Sequence, residues 1–160
     1  MSKSWPTRGV AVLAIAVASL APACAAKKVA APLLPTRTSP EKFAAAANGI
    51  CATVNAQVKA LPQPASLAEV AAMDYKLVPI YQSEATALRG LTRPDVDTTR
   101  VTDMLNHLDQ AVVQLRRSGV SASSNDLAAA IKAYLFSRSE VDEARTAANA
   151  FGLAECAKSV

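Results

Sequence analysis

Between Ser39 and Gly152 the chain carries four runs in which apolar residues recur at three- and four-residue steps, each bounded by proline, glycine or clustered serine. That spacing belongs to a helix with one buried face, and a strand cannot use it. The first run holds Phe43, Ala47, Ile50, Val54 and Val58, with Ser39 placed to cap it and Pro40 suited to its first position. "LPQP" closes it. The second opens on Ser66–Glu69, a capping box, and turns Leu67, Val70, Leu77, Tyr81, Leu88 and Leu91 inward. Pro79 lies inside this pattern and is expected to kink it, because its ring meets the carbonyl of Tyr75.

The third run, with Val101, Leu105, Leu108, Val112 and Leu115, is the most regular. Asp97 and its neighbours suit its N-terminus. Arg116 and Arg117 suit its C-terminal end, with Gly119 as the C-cap. The fourth is expected to start from a cap at Ser123 or Ser124, to bury Leu127, Ile131, Tyr134, Val141 and Ala148, and to stop at Gly152. Frequent alanine and only five glycines favour helix over sheet. Four helices joined by short breaks predict an all-α, up-down four-helix bundle over residues 40–160.

The chain has three cysteines. Cys24 falls in a leader, which leaves Cys51 and Cys156, and an even pair in an exported domain reads as a disulfide. Its loop of roughly 100 residues would stabilise the fold by about 4.7 kcal/mol before strain. The up-down topology brings the tail after Gly152 back towards the first helix, where Cys51 lies.

The leader has the anatomy of a signal peptide over residues 1–25. Lys3 and Arg8 are basic, Val10 to Leu20 are apolar except for Ser19, and Ala21-Pro22-Ala23 is a small-residue cleavage pattern. The apolar run is shorter than the ~20 residues a membrane span needs. Cys24 has two readings. It resembles the lipobox cysteine of bacterial lipoproteins, although Ala21 stands where an aliphatic residue is usual; otherwise the leader is cut after Ala23 or Ala25. Residues 26–39, with Pro32 and Pro35, read as a semi-extended linker of about 3.1 Å per residue. The protein is therefore expected to be exported, either secreted or anchored to the outer face of the membrane through Cys24.

The formal charge of +4 comes from the leader and linker. From Glu41 onward twelve basic residues face thirteen acidic ones. A near-neutral domain with few aromatic residues lacks the basic patch and stacking surface of a nucleic-acid binder.

Catalytic signatures are weak. Asp95-Val96-Asp97-Thr98-Thr99 matches the D-x-D-x-T string of haloacid-dehalogenase phosphotransferases, but "TRP" precedes it instead of an apolar strand. His107 is the only histidine and lies off the Leu105/Leu108 stripe, as a solvated residue would. One histidine and no spare cysteine cannot make a transition-metal site. No nucleophile turn of the G-x-S-x-G kind occurs. No catalytic residue, metal ligand or cofactor is assigned. Tyr75, Pro79, Tyr81 and Tyr134 are the candidates for lining a small apolar pocket between helices.

"AANGICATVNAQV", "ALRGLTRPD" and "ANAFGLAECA" together resemble a loose group of small exported helical proteins from high-GC Gram-positive bacteria. The likeness covers most of residues 39–157. It implies a disulfide-closed helical fold and an extracytoplasmic place, and it brings no activity with it.

The expectation is an exported, non-enzymatic interaction or accessory module that meets a protein partner outside the cytoplasm, with membrane contact only through a lipid on Cys24. The alternative is a carrier of a small apolar ligand in the bundle. A filled core near Pro79 would mark the first, and a cavity of several hundred Å3 there the second.

Overall fold

The computed structural model describes residues 38–158. The signal-peptide reading, the alternatives for Cys24 and all but the last two linker residues lie outside the described residues. Four helices follow in order: α1 (Pro40–Lys59), α2 (Leu67–Gly90), α3 (Thr99–Ser123) and α4 (Leu127–Phe151). They form the expected up-down bundle. α3 and α4 pack along the greatest length, α2 lies on α3, and α1 lies on α2.

Several ends follow local chemistry as anticipated. Ser39 Oγ accepts from the Lys42 N–H at 3.3 Å, with Pro40 entering the first turn. Ser66 Oγ accepts from the Glu69 N–H at 3.2 Å. Glu69 closes its half of the box one residue early, accepting from the Ala65 N–H at 2.6 Å. Gly152 ends α4 in the left-handed region at φ 89°, and the Leu153 N–H reaches back to the Ala148 carbonyl at 2.9 Å. That is a Schellman closure, which favours a residue without Cβ.

Two boundaries differ from expectation. α3 does not stop at Gly119 but runs on to Ser123, so Arg116 and Arg117 lie a turn or more inside it. Gly119 is buried against α2, and a Cβ there would sit 3.5 Å from the Tyr75 ring. The glycine lies inside α3 where it faces α2 and does not terminate the helix. α4 is capped by Asp126, whose Oδ1 accepts from the Ala129 N–H at 3.0 Å, instead of Ser123 or Ser124. Asn125 before it takes φ 59°, a conformation asparagine tolerates, and this makes the α3–α4 turn. α2 continues as one 24-residue helix through Pro79, which is exposed.

The main core gathers Phe43, Cys51, Leu88, Val101, Met104 and Leu153, with Ala144, Ala147 and Ala148 lining the α4 side. Cys51 and Cys156 are disulfide-bonded, with Cα atoms 4.9 Å apart. Two asparagines on the same face of α1 seat the tail around the bridge. Asn55 Nδ2 donates to the Glu155 carbonyl at 2.8 Å, and the Glu155 N–H donates to Asn48 Oδ1 at 2.9 Å.

The expected core stripe of α4 is displaced at its start. Leu127 is 54% exposed and Ile131 49%, while Ala130 and Ala133 point inward instead. α1 explains this. It has 20 residues against 24 or 25 in the others, so at about 1.5 Å per residue it is some 6 Å shorter. Pro62 and Pro64 prevent the helix from resuming. At that end of the bundle the buried cluster of Ala71, Ala122 and Ala130 comes from α2, α3 and α4 alone.

Candidate functional site

The shortness of α1 leaves a groove. It runs between the first turns of α2 and α4 and holds about 410 Å3. Leu67, Val70 and Met73 form one wall, Leu127, Ala130, Ile131 and Tyr134 the other, and the Gln63–Ser66 loop closes an edge. No charged side chain lines it. Gln63, Met73 and Tyr134 also line a second, deeper cavity of about 180 Å3 that reaches Leu77, Tyr81 and Leu115 between the helices. Lys59, Arg138 and Arg145 line that cavity as well, and the two cavities share Gln63, Met73 and Tyr134 in their walls.

Of the four residues expected to share a pocket, Tyr81 and Tyr134 do line one cavity. Tyr75 does not join them. It is 53% exposed and lies across Gly119 on the α3 side of α2. Pro79 is on the exposed side of the same helix. The reason is angular: Tyr75 and Tyr81 are six residues apart, which places them on different faces of an uninterrupted helix.

His107 is not simply solvated. Its Nδ1 lies 2.7 Å from Glu140 Oε2, linking α3 to α4 in a half-buried pair. Asp97 is exposed; its Oδ1 accepts from the Thr99 hydroxyl at 2.6 Å and from the Thr99 N–H at 2.9 Å, and these bonds hold its carboxyl below the usual range. Thr98 occupies the N-cap position itself. Asp95 is exposed in the same segment, and no strand leads into the D-x-D-x-T string.

Two carboxylates are buried on α2, which the periodicity of the sequence did not single out. Asp74 is fully buried, and neither of its oxygens meets hydrogen-bond geometry with a partner; nor does the Ser118 hydroxyl, also buried. Burial raises its carboxyl above the usual range, and proximity to Ser118 offsets part of that rise. Glu84 is 7% exposed. Burial pushes it up to about 7, with the Arg145 guanidinium working in the opposite direction. It sits among Tyr81, Met104, Leu108 and Val141 around a void of about 20 Å3, too small for an organic substrate. Among the described residues no three His, Cys, Asp or Glu side chains converge to hold a metal ion.

A second surface lies on the outer side of the α3–α4 hairpin. A shallow trough of about 810 Å3 carries Arg116, Arg117 and Lys132 beside Val120 and Phe136. Summing charge over the whole domain hid this. Counting it by segment reveals it, because residues 110–139 contain four basic residues and one acid.

No protein-family model, curated protein or solved structure matches the chain.

Proposed function

We propose that this protein is an exported, non-enzymatic carrier that holds a neutral apolar group in the groove between α2 and α4. The observation that carries the reading is the groove's lining: concave, apolar and uncharged, with Gln63, Ser66 and Tyr134 as its polar side chains. Its volume falls in the range of small-molecule sites, and bundles commonly hold ligands between their helices. The flexible thioether of Met73 suits a pliant aliphatic chain. The Cys51–Cys156 bridge is at home in an oxidising compartment, which agrees with the signal-peptide reading of the leader.

The test is a fluorescence titration with N-phenyl-1-naphthylamine, a neutral apolar probe. The wild-type protein is expected to bind it saturably at one site. The double variant Leu127→Gln/Ile131→Gln removes two half-exposed walls of the groove. At about 1 kcal/mol each, half the value of a fully buried aliphatic side chain, it should bind some 30-fold more weakly. Non-saturable binding, or equal affinity in the variant, overturns the reading.

A second reading, an interaction module for a protein partner, is favoured by one feature. The groove begins just beyond the end of α1, since the Gln63–Ser66 loop that follows α1 closes its edge. A partner's amphipathic helix laid there would continue the fourth wall of the bundle. Native mass spectrometry of the protein from its own host separates the two: a retained low-mass apolar ligand supports the carrier, and a protein adduct lost with Leu127→Gln/Ile131→Gln supports the module.

A further inference from the structure

We propose that the outer side of the α3–α4 hairpin is a peripheral docking surface for an anionic phospholipid bilayer, independent of any lipid on Cys24. Two observations coincide there. The first is charge. Residues 110–139 hold Arg116, Arg117, Lys132 and Arg138 against Asp126 alone, a balance of +3, while the rest of residues 41–160 holds eight basic and twelve acidic residues, a balance of −4. Asp126 is committed to the N-cap of α4. Elsewhere four of the eight cations are paired locally: Arg89 with Asp109, Arg100 with Asp103, Arg145 with Asp142 and Lys158 with Glu155. Arg116, Arg117 and Lys132 have no such carboxylate among the described residues. Glu140, at the edge of their trough, is taken by His107.

The second observation is exposed apolar surface. Eight large apolar side chains are exposed among the described residues, and six of them lie in this one segment. Leu127 and Ile131 belong to the groove. Of the other four, Val120 and Phe136 line the trough together with Arg116, Arg117 and Lys132, while Val113 and Leu135 are exposed elsewhere on the same two helices. Single exposed apolar residues are ordinary; a cluster among unpaired cations is not. Helices that lie in the headgroup region have this composition, with Lys and Arg reaching phosphates while aliphatic and aromatic side chains enter the acyl boundary. Charge complementarity selects an anionic bilayer over a zwitterionic one. Nucleic acid is disfavoured because three of the four apolar residues are aliphatic and offer no face for base stacking. The contact is peripheral, since no helix of the described residues is long and apolar enough to cross a membrane.

The experiment is co-sedimentation of the full chain carrying Cys24→Ala, so that no acyl chain can form, with vesicles of phosphatidylglycerol and phosphatidylcholine or of phosphatidylcholine alone. Whatever the leader contributes is common to every variant compared. Binding is expected on the anionic vesicles and to fall with salt. Arg116→Gln/Arg117→Gln/Lys132→Gln should weaken it roughly a hundredfold, at about fivefold for each cation. Lys42→Gln/Lys76→Gln, outside the hairpin, should leave it unchanged. Phe136→Trp in a Trp5→Phe background gives a second readout: its emission should shift to the blue on anionic vesicles and not on phosphatidylcholine. The substituted positions within the bundle are all exposed, so melting curves should remain near wild type. Equal binding to both vesicles, an undiminished triple variant, or no blue shift overturns the proposal. So does retention of an oligonucleotide by the same three cations without vesicle binding, which assigns the surface to a different polyanion. The groove plays no part in this test, so vesicle binding and probe binding succeed or fail separately.

Discussion

Replacing Glu84 by glutamine should make the stability of the protein less dependent on pH, and should stabilise it at neutral and alkaline pH. In the unfolded chain this carboxyl titrates near its ordinary 4.5; in the fold it is pushed up to about 7 by burial among Tyr81, Met104, Leu108 and Val141. Between those two values the folded state keeps a proton that the unfolded state has released. Stability therefore falls as pH rises through the interval, by about 1.4 kcal/mol per pH unit. The fall amounts to roughly 3 kcal/mol between pH 4.5 and 7. Below the interval both states are protonated, and above it both are ionised, so this group adds no further slope. Glutamine keeps the size and neutrality of the protonated acid. The variant should match wild type near pH 4 and exceed it by up to about 3 kcal/mol near pH 8. Arg145 is not orphaned by the change, because Asp142 Oδ1 remains 2.8 Å away. Asp74, raised by burial, and Asp97, lowered by its bonds to Thr99, tilt the pH profile in opposite directions. Both are present in both proteins and cancel on subtraction. The assay is urea unfolding followed by far-ultraviolet circular dichroism across this pH range. A difference between the proteins that does not change with pH, or a variant weaker than wild type near pH 8, would refute the reasoning. It would mean that Glu84 stays ionised and that attraction to Arg145 outweighs desolvation.

Two further perturbations test the frame of the bundle. Reducing the Cys51–Cys156 bridge frees a chain segment with a sequence separation of 105; the expected loss is about 3–5 kcal/mol, seen by calorimetry as a fall in Tm of about 10 °C or more. A fall of only a degree or two would show that the bridge does little to limit the unfolded ensemble. Gly119→Ala should raise stability by about 0.5–1 kcal/mol, because a mid-helix glycine is replaced and the new Cβ meets the Tyr75 ring at an ordinary 3.5 Å. Destabilisation instead would mean that α2 and α3 cannot yield even a methyl group's space there.

How much of this was legible in advance depended on the range of the interaction. Ser39, Ser66 and Gly152 mark helix ends through bonds to residues within five positions, and each acts where the sequence placed it. Cys51 and Cys156 were paired by count and compartment, with the topology agreeing. Gly119 misled because a glycine inside a helix and one that ends it look alike in sequence, and only the continuation of α3 to Ser123 distinguishes them. Leu127 and Ile131 misled for a related reason. Their spacing marks an apolar flank, but whether that flank is covered depends on the length of α1, some seventy residues earlier in the chain. The charge asymmetry of the hairpin was present in the sequence throughout and was lost in a whole-domain sum.

The sequence by itself determined four helices, their order and most of their ends, because periodicity and capping are local and each residue carries its own preference. The tertiary structure decided which carboxylates are dry, which tyrosines share a cavity, and which apolar residues remain at the surface. Those properties depend on what lies across the bundle. Glu84 is shifted by side chains from α3 and α4, and the α2–α4 groove is open because α1 is one turn too short to cover it.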